Sequence, residues 1–229
     1  MTTFLDLIPL ALLGGVLGLD VVSFPQAMIS RPLIAATLGG ALLGQASSGL
    51  LLGAALELIA LETLPFGASR YPEWGSASVV GGAIFASHPV LPAGAAMTLA
   101  MLSALATTWV GGWTMVKLRQ LNAVWGRRRR QGLDAGARGT VIEFQLFGLT
   151  ADLVRGALLT ATAYAVLAPI AAACIAVWGT DARLSRAVVV ATAASVAGGA
   201  AWKLFHSTTG ARWFFVGGLA LGLFALFAR

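Results

Sequence analysis

Residues 31–82 read RPLIAATLGGALLGQASSGLLLGAALELIALETLPFGASRYPEWGSASVVGG, an apolar and glycine-rich stretch that nonetheless holds Arg31, Glu57, Glu62 and Arg70. A bilayer interior is a poor place for an unpaired charge, so each such group needs a partner or a water-filled cavity. Apolar runs broken by Gly and Pro, with ionisable residues inside them, are the sequence mark of a transporter site. Three runs here, 33–43, 50–64 and 77–87, are too short to cross a bilayer alone, since about 20 residues are needed. They predict broken or re-entrant helices. The stretch QASSG at 45–49 reads as the turn between the first two, and 65–75 as a polar, turn-rich connection.

The rest of the chain fits a membrane. Of its 229 residues, 58% are hydrophobic and 10% charged, where soluble domains carry about a quarter charged residues. The expected fold class is therefore all-α, a polytopic integral membrane protein forming one membrane domain over 1–229. Residues 4–19 lack a basic flank and a small-residue cleavage site, so they read as a retained membrane segment and not as a signal peptide. Residues 20–32 hold Asp20, Gln26 and Arg31 around Pro25 and Pro32, which interrupt any continuous helix. Residues 93–116 and 153–178 are long enough for full spans, with Pro169 placed to kink the second. Residues 142–149 suggest a short interfacial piece, and 187–202 and 213–227 two further spans.

The net charge of +6 is concentrated in one place. Lys117, Arg119, Arg127, Arg128, Arg129, Arg130 and Arg138 face Asp134 alone, in a loop of about 117–140. Basic bias sets orientation, so this loop is expected in the cytoplasm and 153–178 then leads outward. No aromatic-interleaved basic surface accompanies it, and no nucleic-acid partner is expected. The single cysteine, Cys174, sits in an apolar run and reads as a small buried residue. No paired histidines, nucleophile elbow or phosphate-cradling glycine loop is present in the sequence, and neither catalytic residues, a metal nor a cofactor is expected.

RPLIAATLGGALLG at 31–44, followed by ELIAL at 57–61, resembles the membrane subunit IIC of the mannose/fructose/sorbose family of the bacterial sugar phosphotransferase system. The likeness is strongest over 31–67 and returns faintly at 210–215. It implies a sugar permease subunit in the bacterial inner membrane. That subunit would work beside a IID membrane subunit and cytoplasmic IIA and IIB proteins, where phosphoryl transfer takes place. The subunit itself would then not be an enzyme. It also implies a hexose-type sugar as substrate and an oligomeric assembly.

A sugar site needs acceptors and donors for hydroxyls beside an apolar wall. Asp20, Gln26, Arg31, Glu57 and Glu62 form the candidate polar set, and Phe24, Phe66 and Trp74 the candidate wall. Glu57 and Glu62 lie about 140° apart on a helix and do not share a face. Glu57 and Arg31 have two readings, sugar contacts or a buried brace between re-entrant segments. Relatives in the family usually continue for a further helix beyond the position of Arg229. That difference keeps open a regulatory or scaffold role in an incomplete phosphotransferase system. The carboxylates alone would also suit an unrelated ion-coupled transporter.

Overall fold

A computed structural model describes residues 4–21, 23–61, 72–88, 93–178 and 209–227, with single helical residues at 183, 187, 190, 194 and 198. Every secondary-structure element among the described residues is a helix. In chain order they are α1 (Phe4–Asp20), α2 (Pro32–Leu42), α3 (Ala46–Ala60), α4 (Trp74–Ala86), α5 (Ala93–Arg128), α6 (Arg130–Asp134), α7 (Arg138–Trp178) and α8 (Ala211–Phe227). The segment expected at 187–202 lies mostly outside the described residues.

The short runs are short helices, as expected. α2 begins at Pro32, whose fixed φ suits a first helical position, and stops after 11 residues. Gly44 (φ +75°) then turns the chain, and the Gln45 amide donates to the Gly40 carbonyl at 2.9 Å. This turn spans 43–45 and not 45–49. Gly44 supplies the left-handed conformation, which leaves Ser47, Ser48 and Gly49 free to form the first turn of α3. α2 and α3 pack as an antiparallel hairpin, and α4 packs against both. The Ala36 carbonyl sits between Gly49 and Gly82, and a Cβ on either glycine would lie 2.2 Å from it. Lipid supplies no hydrophobic drive between helices, so backbone contact of this closeness is what makes the packing favourable.

α4 is the centre of the molecule. All 13 of its residues are buried, among α1, α2, α3, α5 and α7. At about 1.5 Å per residue it is roughly 20 Å long, short of the ~30 Å hydrocarbon core. It does not cross the core alone, and its first turn carries backbone N–H groups that need acceptors.

Among the described residues, two helices are long and apolar enough to cross a bilayer, over Gly94–Arg128 and Arg138–Val177. Both outrun the expectation. α5 extends through the basic stretch to Arg128, and α7 begins at Arg138, so 142–149 is the start of a 41-residue helix that also continues through Pro169. The basic residues thus sit on a helical hairpin closed by α6. Its core is aromatic: Trp125 stacks on Phe147 at 4.2 Å and on Phe144 at 5.8 Å. That stack supplies packing which a charge-based reading of 117–138 misses. The outer half of α7 faces away from the bundle, with Leu158, Val166 and Val177 exposed. Cys174 lies on that exposed side, not in the core, because α7 has no protein neighbour there among the described residues.

Candidate functional site

Residues 21–31 link α1 to α2 and carry several of the predicted site residues. Two carboxylates clamp this loop. Asp20, 2% exposed at the end of α1, accepts from the Ala27 amide at 2.6 Å and the Ser30 amide at 2.9 Å, one on each oxygen. Ser23 donates its hydroxyl to Asp152 of α7 at 2.5 Å. Between the clamps the loop bulges outward. Gln26 (φ 58°) and Met28 (φ 62°) both adopt left-handed backbone, which costs about 1–3 kcal/mol at a non-glycine residue and persists only where surroundings enforce it. Phe24 and Met28 are 67% and 71% exposed beside Gln26.

At the far end of the loop, Arg31 and Glu57 form an ion pair. The Arg31 Nε donates to Glu57 Oε1 at 2.6 Å, and Glu57 Oε2 accepts the Leu33 amide at 3.2 Å. Glu57 therefore caps the N-terminus of α2 from α3 and binds the arginine that precedes it. Both of its oxygens are used. Their side chains keep 27% and 20% exposure, so the pair is only partly desolvated. Glu62, Phe66 and Arg70 lie outside the described residues. Trp74 is 8% exposed inside the bundle and presents no open wall. His88 follows α4, with its Nδ1 3.0 Å from the Ile84 carbonyl.

A second polar centre, at the N-terminus of α4, was not among the candidates. Glu73, fully buried, caps α4 by accepting the Ser76 amide on Oε1 at 3.1 Å. Its amide donates to the Thr108 carbonyl of α5 at 3.3 Å, and Arg155 of α7 meets Ser76 beside Gly18 of α1, where an added Cβ would lie 3.4 Å from the one and 3.1 Å from the other. Arg155 Nε donates to Asp152 at 2.8 Å, three residues back on α7, and both side chains are under 10% exposed. Its Nη1 reaches Thr114 of α5 at 3.4 Å. Glu73 Oε2 and Arg155 Nη2 are buried without a hydrogen-bond partner among the described residues. Ser76 ties the cluster to α1 by donating to the Gly14 carbonyl at 3.0 Å. One signal was available in the sequence: Asp152 and Arg155 are three apart at the head of an apolar run, hence neighbours on one helical face.

Ser23 and Asp152 also open onto a cleft of about 360 Å³ between α5 and α7, lined further by Arg119, Asn122, Phe144 and Gln145.

The family profile described as the sorbose-specific IIC component of the phosphotransferase system matches residues 4–127. That is more than half of the chain and includes the loop, both short-helix N-termini and most of α5. The chain belongs to the sorbose-specific IIC family. Among individual IIC proteins, the mannose-specific EIIC component of Escherichia coli K12 is 37% identical over 75 residues. The sorbose-specific EIIC component of Klebsiella pneumoniae is equally similar over the same length. These alignments span 32% of the chain and 28% of the relative in each case, well under a third of the relative's own length. The IIC fold is matched more widely. A structure titled only as a membrane protein superposes with TM-score 0.69 at 19% identity, over 100% of this chain and 92% of the other. A chain of the mannose transporter ManYZ in complex with microcin E492 superposes with TM-score 0.61 at 19% identity, over 96% and 87%.

Proposed function

We propose that the chain is a sugar permease subunit that forms part of the translocation path for a hexose-type sugar. It would act with a IID membrane subunit, while cytoplasmic IIA and IIB proteins carry the phosphoryl group. The observation that carries this reading is the pairing of family membership with a short helix buried in the bundle, whose N-terminus holds a fully buried glutamate. Half-helix ends aimed at the midplane are how transporters bind polar solutes where water is scarce. The names of the similar relatives put mannose and sorbose first among sugars to test.

In this reading the loop 21–31 meets the sugar. Gln26 offers both a donor and an acceptor, with Phe24 beside it as an apolar surface. Asp20 fixes the loop's shape, and Arg31 with Glu57 anchors its exit. Glu62 belongs to the same set by its place in the sequence. Glu73 and Arg155 lie deeper on the path, one offering an acceptor and the other a donor to passing hydroxyls. The subunit sits in the bacterial inner membrane, as a single membrane domain with its basic hairpin in the cytoplasm.

Membrane vesicles containing the complex test this directly. Sugar should accumulate as its phosphate when a phosphoenolpyruvate source and the soluble carriers are supplied, and not without them. Accumulation driven by an ion gradient alone would identify a secondary transporter. No accumulation under either condition, with a IID subunit present, would favour a scaffold role.

A further inference from the structure

The cleft between α5 and α7 lies beyond the loop. Its volume, about 360 Å³, is within the ~300–1,000 Å³ range of small-molecule sites. It is framed on both sides. Toward the bundle, Ser23 bonds Asp152, which pairs with Arg155. Toward the hairpin tip, Trp125 stacks on Phe144 and Phe147 and holds the two helices in register. Between these props the helices stand apart. At Gly148 an added Cβ would meet only the Asn122 amide nitrogen, at 3.8 Å.

The lining chemistry selects a ligand class. Asp152 is engaged by Arg155 and Ser23, and Arg119 lines the α5 side of the cleft. Asn122 and Gln145 each offer a donor and an acceptor. The Asn122 Oδ1 is buried with no hydrogen-bond partner among the described residues. Phe144 presents an apolar ring beside them. Amides, a guanidinium and one aromatic face suit a polyhydroxylated ring. We infer that this cleft is a monosaccharide-binding subsite at the basic, cytoplasmic mouth of the path. The inference rests on the permease reading for its place in transport, and its location next to Lys117 and Arg119 puts it where a sugar leaves the membrane.

Gly148 allows a test that should spare the fold. Gly148→Ala adds a methyl group into open space and should bind as the parent does. Gly148→Leu fills the cleft. Equilibrium dialysis of radiolabelled mannose, with sorbose as competitor, is run on the full chain purified in detergent. Uptake with a phosphoenolpyruvate source is measured on the same variants. The expected result is saturable binding by the parent and by Gly148→Ala, weakened at least tenfold in Gly148→Leu and in Asn122→Ala, with uptake lowered in parallel. Sugar binding that ignores both Gly148→Leu and Asn122→Ala, or binding of inorganic phosphate in place of sugar, overturns the subsite. It leaves the permease reading standing if the parent still takes up sugar. Cleft-dependent binding without phosphoenolpyruvate-dependent uptake overturns the permease reading and keeps the subsite. Neither binding nor uptake by the parent overturns both.

Discussion

Two short helices in this molecule each have a first-turn amide capped by a glutamate, and the two glutamates are held differently. At α2, Glu57 and Arg31 leave no carboxylate oxygen unused: one bonds the guanidinium, the other the Leu33 amide. The pair stays 20–27% exposed, so its desolvation is incomplete. At α4, Glu73 is fully buried and spends one oxygen on the Ser76 amide. Its other oxygen, and one nitrogen of Arg155, find no partner among the described residues. A buried polar atom left unpaired costs about 1–3 kcal/mol, more when charged. A protein bears such a cost where the groups serve something besides the fold. The closed pair is a brace. In the proposed reading, Glu73 and Arg155 line the path.

The contrast can be broken first at Asp152. It is the ion-pair partner of Arg155, and both are nearly inaccessible. Asp152→Leu leaves a buried guanidinium uncompensated, which costs about 3–5 kcal/mol. Thermal unfolding in detergent should show a large drop in Tm, with most of the loss recovered in Asp152→Leu/Arg155→Met. Parental stability in the single variant would mean that water reaches Arg155 freely. The Ser23 contact would be lost as well, so the loop should become more susceptible to protease.

The brace sharpens the contrast from the other side. Glu57→Gln keeps an acceptor for the Leu33 amide but removes the ionic partner of Arg31. Since the pair is partly solvated, the loss should be about 1 kcal/mol or less, a small shift in the same melting experiment. A loss as large as that of Asp152→Leu would place the two pairs in one class. Glu73→Gln should also change stability by no more than about 1 kcal/mol, because Gln Oε1 still caps the Ser76 amide. The smallest structural effect is expected at Gly139, where an added Cβ meets nothing within 4 Å. In a Cys174→Ala background, Gly139→Cys should fold normally and resist an impermeant thiol reagent added outside intact cells. Ready labelling would reverse the orientation of the hairpin.

The closed pair was legible in the sequence and the open one was not, for physical reasons. Arg31 and Glu57 are charges inside apolar runs, where only a partner or a cavity can explain them. Pro32 and Gly44 mark the ends of α2 equally plainly, so its length could be read directly. Glu73 was concealed because it follows a polar, turn-rich stretch and looks solvated; only the packing of α4 among five helices buries it. Asp152 and Arg155 stand at the start of a long apolar run, the usual place for charges at an interface. Their burial follows from α1 crossing α7 closely, with Gly156 3.0 Å from the Gly14 carbonyl after addition of a Cβ. The basic stretch misled in the opposite sense. Its arginines read as a loop, while Trp125, Phe144 and Phe147 form a hairpin core that charge patterning does not reveal.

One experiment separates brace from path most directly. Glu57→Gln and Glu73→Gln are expressed in the same cells, and membrane-inserted protein is quantified alongside phosphoenolpyruvate-dependent sugar uptake. The expected result is near-parental protein for both, with parental uptake per molecule for Glu57→Gln and uptake per molecule down at least tenfold for Glu73→Gln. The reverse pattern, uptake lost per molecule at Glu57 and retained at Glu73, would contradict the assignment of the two pairs.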